Sequence, residues 1–202
     1  SSRNHTELML KFVKYPIKIK KNINRETISL KGLNQFRSFE YYVPGDISSA
    51  SFFIVLTILS NNSKMIIKSV NINESRIGVI KILNMMGAGI QFKNKRFYSG
   101  EKIADIYIKS KKNLKSVNCP SNLNSSAIDE FLIIFLVAAK SNGISKFKNL
   151  GEMNKKESKR LDLAVKFLKL IGIKVERIKN DIKIHGNPKL SLSGNYEIKK
   201  FL

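Results

Sequence analysis

The chain has 202 residues, of which 43% are hydrophobic and 26% charged; this is an ordinary globular balance and excludes disorder and fibres. Its 37 basic residues against 15 acidic ones give a formal charge of +22, enough to attract any polyanion at low salt. The longest nearly uncharged apolar stretch, residues 51–59, falls far short of the roughly 20 residues that span a bilayer, and no charged-then-apolar start marks a secretory signal. A cytoplasmic protein with no membrane partner is expected.

A single cysteine, Cys119, accompanied only by His5 and His185, excludes an internal disulfide and a structural zinc site, which needs four thiolate or imidazole ligands. A reducing compartment fits. Of the basic residues seven are arginine and thirty lysine, with no run longer than two. Arginine is the better fork for phosphate and guanine. The lysines stand among many Ile and Asn, a mixture that an AT-biased coding sequence also produces. The charge therefore reads mainly as solvated surface. A basic nucleic-acid-binding module is the alternative of another class; it would need arginine or aromatic clusters on one face, whereas Phe and Tyr fall mostly in predicted strands and apolar helices.

In chain order, Ser2-Arg3-Asn4-His5-Thr6-Glu7 precedes the amphipathic Leu8-Met9-Leu10-Lys11-Phe12, and Thr6 with Glu7 reads as a helix cap. Arg3 is left without a local role. Residues 17–20, 27–30 and 39–43 read as strands of one sheet, separated by turn-forming Asn, Gly and charged residues. At Val43-Pro44-Gly45-Asp46-Ile47-Ser48-Ser49 the pattern changes, because Asp46 or Ser48 can cap a helix that runs apolar to Leu59. A domain boundary is expected near Pro44, dividing the chain into residues 1–44 and 45–202.

From Pro44 onward the chain repeats itself. An acid-started apolar helix over 46–59, a strand over 65–70, an amphipathic helix over 76–86 ending at Gly87, and strands over 90–92 and 103–108 form one unit, about 45–118. The second unit, 119–202, has the same order: an apolar helix from Asp129 to Ala139, a strand over 144–147, an amphipathic helix from about Lys156 to Ile171 followed by Gly172, and strands over 174–178 and 181–184. Asp129 follows Asp46 by 83 positions, Arg160 follows Arg76 by 84, and Gly172 follows Gly87 by 85. Gly87 and Gly172 suit left-handed C-terminal caps. Helices over 51–59 and 131–139 that are apolar on nearly all faces must be enclosed, so an α/β fold with buried central helices is expected.

Polar groups concentrate where this pattern does not require them. Pro44-Gly45-Asp46-Ile47-Ser48-Ser49 puts a tight turn at a helix start, a place that can hold an anion or cap itself. Asp129, after Asn124-Ser125-Ser126 and before Glu130 and a wholly apolar helix, is either an N-cap or a carboxylate whose partial desolvation suits it to proton transfer. In Asn154-Lys155-Lys156-Glu157-Ser158-Lys159-Arg160, Lys156 and Arg160 lie four apart on one face of the predicted helix. Two cations and a carboxylate at the positive end of a helix could receive phosphate or carboxylate groups.

These clusters, in this order, resemble one family. Ser2-Arg3-Asn4-His5-Thr6-Glu7 is similar to its S-R-D-H-T-E segment, Val43-Pro44-Gly45-Asp46-Ile47-Ser48-Ser49-Ala50 to V-P-G-D-x-S-S-A, Ile128-Asp129-Glu130 to I-D-E, and Lys156-Glu157-Ser158-Lys159-Arg160 to K-E-S-D-R. The family is 3-phosphoshikimate 1-carboxyvinyltransferase, the enolpyruvylshikimate-phosphate synthases. Asn4 and Lys159 stand where Asp is usual, and Asn154 where Arg is.

The resemblance implies an enolpyruvyl transferase-like, inside-out α/β barrel of repeated units, helices inside and sheets outside. Residues 1–44 would end one domain, and 45–202 would form two of the three units of an incomplete second domain. The chain is accordingly expected to be an internal piece of a protein roughly twice as long, inactive by itself. By the same resemblance Asp129 is the general base acting on the 5-hydroxyl of shikimate 3-phosphate, and Glu157 is the acid that handles the methylene proton of phosphoenolpyruvate. Lys156, with Ser2 and Arg3, binds shikimate 3-phosphate; Arg160, with Glu157, binds phosphoenolpyruvate. No metal or organic cofactor, no specific nucleic acid and, at full length, a monomer are implied. A relative acting on UDP-N-acetylglucosamine is the alternative within the fold.

Overall fold

The computed structural model describes residues 3–23, 25–32, 35, 38–155 and 158–191. The first elements are a short helix, α1 (His5–Phe12), and an antiparallel hairpin of β1 (Ile17–Asn22) and β2 (Arg25–Leu30), which pairs Ile17 with Leu30 and Asn22 with Arg25. Thr6 lies inside α1, whose cap position is Asn4, so the capping role read for Thr6 is not met. The strand expected over 39–43 is also absent: the segment is irregular. Its polar backbone finds side-chain partners instead, Tyr42 N donating to Tyr98 Oη at 2.9 Å. Ring contacts of Phe39 with Phe12 and of Tyr41 and Tyr42 with Tyr98 hold it in place.

Two units of identical topology follow. The first is α2 (Ile47–Leu59), β3 (Lys64–Asn71), α3 (Gly78–Met85), β4 (Gln91–Tyr98) and β5 (Glu101–Lys109); the second is α4 (Phe131–Ala139), β6 (Ile144–Phe147), α5 (Arg160–Leu170), β7 (Val175–Ile178) and β8 (Asp181–His185). Each makes a three-stranded antiparallel sheet with its last strand in the middle, β3-β5-β4 and β6-β8-β7. One continuous core joins the units. α4 packs against α2, α3 and α5, and its Phe131 and Phe135 meet Phe147 of β6 with ring centroids 6.0 and 5.0 Å apart. Gly87 and Gly172 follow α3 and α5 at φ +87° and +80°, the backbone region that favours glycine.

The central helices are not wholly enclosed, contrary to the sequence expectation. On α2 the face of Ile47, Ile54 and Ile58 is buried, whereas Phe52, Phe53 and Leu56 are more than half exposed. On α4 Leu132 is exposed, and between α4 and α5 runs an apolar groove of about 340 Å³ floored by Phe135, Leu136 and Leu168. An all-apolar helix needs neighbours on every side; two units provide them on only part of the circumference.

The first sheet carries a feature that places the turn before α2. Register shifts interrupt β3 between Ile67 and Val70 and β4 between Lys93 and Arg96, and Ser69 and Asn94 there have φ of 53° and 50°. Both bulges converge on Asp105 of the central strand, which is 4% exposed. Its carboxylate accepts from Asn94 Nδ2 at 2.9 Å, Ser69 N at 2.9 Å and Lys68 Nζ at 3.1 Å. The bulge re-aims the end of β3 so that Gly45 N donates to Ser69 O and Asn71 N to Gly45 O, each at 2.9 Å. Hydrogen bonds from Asn94 and Ser69, with Lys68, hold the Asp105 carboxyl far below the usual carboxylate range. A carboxyl lowered by folding contributes stability that is complete above its unfolded value of about 3.9 and is lost as pH falls through and below it. Asp105→Asn is therefore expected to lower the Tm at neutral pH and to flatten its decline below about pH 4 relative to the unsubstituted chain, as thermal melts across pH would record.

Candidate active site

α4 begins at Phe131, with Glu130 at the cap position and no side-chain cap bond. Asp129 thus lies outside the helix and does not cap it, and its carboxylate is turned to partners from distant segments. Arg3 Nη2 donates to Asp129 Oδ2 at 2.6 Å and Arg160 Nη1 to Oδ1 at 3.3 Å. Arg3, without a local role in the sequence, has its partner 126 residues further on. The three side chains are 26–41% exposed, open enough for a ligand to reach. Beside them lies a cavity of about 590 Å³ walled by Arg3, Ser121, Asn124, Ile128, Asn149 and Glu152. The two guanidiniums can receive anions, and the carboxylate between them can accept a proton.

Of the other residues singled out, Ser2, Lys156 and Glu157 lie outside the described residues. Arg160 is the first residue of α5, so the helix expected from about Lys156 starts four residues later. The cause is Asn154, whose Oδ1 accepts from Leu161 N at 3.0 Å and whose Nδ2 donates to Asp162 Oδ1 at 3.0 Å. These bonds satisfy the first turn of α5 from within the preceding 3-10 turn, Gly151–Lys155.

The sequence pattern marks Asp46 as the cap of α2, which the structure bears out, but not the polar array that runs from it inward to buried Glu130. Asp46 caps α2, accepting from Ser49 N at 2.8 Å, and pairs with Arg76 Nη2 at 3.2 Å. Arg76 Nη2 also donates to Ser48 Oγ at 2.5 Å, and Ser48 Oγ donates to Glu130. Glu130 is only 4% exposed. Burial pushes its carboxyl up, helped by Asp129 and Asp46, and outweighs the opposing Ser48 and Arg76. For Asp46 burial acts upward, but the Ser49 and Ser48 hydrogen bonds and Arg76 outweigh it and leave it lowered. The available signal was the repeat: Asp46 with Arg76 is the first-unit counterpart of Asp129 with Arg160, at 3.2 and 3.3 Å.

α1, which carries Arg3 at its start, docks on the first unit through buried Glu101. His5 Nδ1 meets Glu101 Oε1 at 2.5 Å, and Asn73 Nδ2 donates to Asn4 Oδ1 at 2.8 Å and to Glu101 Oε2 at 3.3 Å. Gly78 allows the remaining approach, since a Cβ there would lie 2.7 Å from the carbonyl oxygen of Ser126, in the turn leading to Asp129. Among the described residues no group of three His, Cys, Asp or Glu could hold a metal ion, and no helix is long and apolar enough to cross a membrane. Cys119 is buried, which pushes its thiol up to about 11.

The chain as a whole is similar to proteins of one family. The family model of EPSP synthase (3-phosphoshikimate 1-carboxyvinyltransferase) matches residues 1–196. The chain belongs to the EPSP synthase family. It is 41% identical over 185 residues to the 3-phosphoshikimate 1-carboxyvinyltransferase of Ruthia magnifica subsp. Calyptogena magnifica, covering 92% of this chain and 41% of that one. It is 34% identical over 189 residues to the one of Bacillus pumilus, covering 94% and 43%. The EPSP synthase structure from Acinetobacter baumannii superposes with a TM-score of 0.84 at 37% identity over 93% of this chain and 41% of that chain. The enolpyruvyl transferase NikO from Streptomyces tendae, at 11% identity and a TM-score of 0.52, shares the fold. The chain thus spans about two fifths of the length of the relatives it matches, and its fold is the repeated-unit α/β architecture of enolpyruvyl transferases.

Two departures from the family pattern acquire a physical reading. Asn4 needs only an acceptor oxygen for Asn73, which an Asp would also supply. Asn154, where the family usually has Arg, pins the start of α5; nothing in the structure explains Lys159. Because Glu101 fastens α1, Glu101→Ala is expected to speed amide exchange in His5–Phe12 by about tenfold, the cost of one buried hydrogen bond, while β3 and β5 keep their protection. Hydrogen–deuterium exchange of the two chains measures this.

Proposed function

We propose that a protein carrying this segment at the full length of its relatives transfers the carboxyvinyl group of phosphoenolpyruvate to the 5-hydroxyl of shikimate 3-phosphate and releases phosphate. What carries the reading is the Asp129 carboxylate set between Arg3 and Arg160 in a chain of this family. The names of the relatives supply the reaction, and the site's chemistry is suited to it. Two anionic substrates call for cations, and the reaction needs a group that takes a proton from an alcohol.

In the addition step Asp129 removes the 5-hydroxyl proton as that oxygen bonds to C2 of phosphoenolpyruvate, and C3 takes up a proton to become a methyl group. In the elimination step C3 gives the proton back, the C2 bond to the phosphate oxygen breaks, and the double bond re-forms. Arg160 grips phosphoenolpyruvate and Arg3, with Ser2, lines the pocket for the shikimate phosphate. Lys156 contacts that phosphate, and Glu157 handles the C3 proton. The paired guanidiniums give the base a trigger: anionic substrates compete with Asp129 for Arg3 and Arg160, and a carboxylate that has given up its guanidinium partners accepts a proton more readily. Residues 1–44 would belong to one domain and 45–202 to two units of the other, with the substrates between them.

The test is Asp129→Asn in the full-length protein. Carboxyvinyl transfer should fall by two to four orders of magnitude, roughly the range for removing a general base, while shikimate 3-phosphate still binds in isothermal titration. Unchanged turnover in that variant would remove Asp129 from the role of base.

A further inference from the structure

Asp129 is fixed at its carboxylate by two arginines, but its backbone sits in a turn with no cap bond at the start of α4. Glu130 N closes that turn on Ala127 O at 3.0 Å, and the Glu130 side chain ties it to the first unit. Glu130 points inward, is 4% exposed, and accepts a hydrogen bond from Ser48 Oγ. Ser48 in turn accepts from Arg76 Nη2 at 2.5 Å, and the same Nη2 is tied to Asp46 Oδ1 at 3.2 Å. Asp46 is anchored by Ser49 N and Ser49 Oγ at 2.8 and 3.1 Å. The array therefore runs from the rigid first turn of α2 in one unit to the Asp129–Glu130 turn of the other. We infer that Glu130, Ser48 and Arg76 are positioning residues: through the Ser48 to Glu130 hydrogen bond they lock the turn that aims the Asp129 carboxylate at Arg3 and Arg160. This rests on the proposed role of Asp129 and adds to it.

Packing alone does not account for the array. A buried carboxylate facing a serine is a costly way to fill space, and an apolar residue would pack as well. The chemistry required of position 130 is an acceptor at the end of a two-carbon stem, which Glu and Gln both provide and Ala does not. The acceptor, and not the charge, is what the geometry uses, because Ser48 donates to it through a neutral hydroxyl.

The experiment compares Glu130→Ala, Glu130→Gln and Ser48→Ala in the full-length protein, with the same substitutions in the 202-residue chain. In the full-length protein kcat for carboxyvinyl transfer should drop at least tenfold in E130A and S48A, with KM for both substrates within about threefold, and E130Q should restore kcat. In the chain itself the guanidinium resonances of Arg3 and Arg160, slowed by their pairing to Asp129, should persist in E130Q and collapse in E130A and S48A. This second arm does not depend on the reaction, so an inactive full-length protein would count against the proposed function alone. S48A keeps the reading intact if E130A does not fold. Preserved kcat and preserved guanidinium signals in S48A would overturn the inference. So would an E130Q as impaired as E130A, which would make the Glu130 charge, not its acceptor, the requirement.

Discussion

The site depends on the side-by-side burial of two helices with almost no polar surface. α2 and α4 pack against each other, and because both are apolar along most of their length, their polar side chains, Thr57 apart, are gathered at the residues that start them. Packing the helices in contact brings those starts together, so Ser48 of one reaches Glu130 of the other across 82 positions of sequence. Burying apolar helix faces is worth roughly 25 cal/mol for each Å² removed from water. That sum over many side chains can hold a few polar groups in an arrangement they would not adopt in water. Asp129 is placed where it is by the core beneath it.

Around that contact the other pieces act as braces of decreasing range. The Asp105 carboxylate draws two bulges together and turns the end of β3 onto Gly45, which sets Asp46 at the head of α2. Glu101 and Asn73 fasten α1 and so bring Arg3 to Asp129. Gly78 lets α3 press on Ser126, in the turn leading to Asp129. Asp105 and Glu101 are buried polar groups spent on fixing a direction, which apolar packing cannot do because it is non-directional.

Much of this was legible in the sequence because the repeat is strong. The spacing of Asp46 and Asp129, of Arg76 and Arg160, and of Gly87 and Gly172 sets out two copies of one unit, and both sheets have the same strand order. What the one-dimensional pattern could not contain was the outcome of competition for hydrogen bonds. Residues 39–43 read like a strand, but their rings find Phe12 and Tyr98, and among the described residues no strand pairs with them. The start of α5 is set by Asn154 reaching forward to Leu161 N, a side-chain bond that no periodicity signals. Nothing in the pattern marks Glu130 as inward-pointing; the packing of α2 beside it turns it inward.

The duplicated Asp and Arg pair shows how one local motif comes to do two jobs. In the first unit the helix begins immediately after Asp46, so the aspartate caps it and Arg76 steadies the cap. In the second unit the helix begins one residue later, relative to its aspartate, because Glu130 occupies the cap position and is drawn away by Ser48. Asp129 is thereby released from capping and keeps its arginine, while Arg3 arrives as a second one. A shift of one residue in a helix start is enough to convert a capping carboxylate into one held between two cations. The inward pull on Glu130 comes from the first unit, so the first unit's own cap, through Arg76 and Ser48, maintains the difference between the two copies.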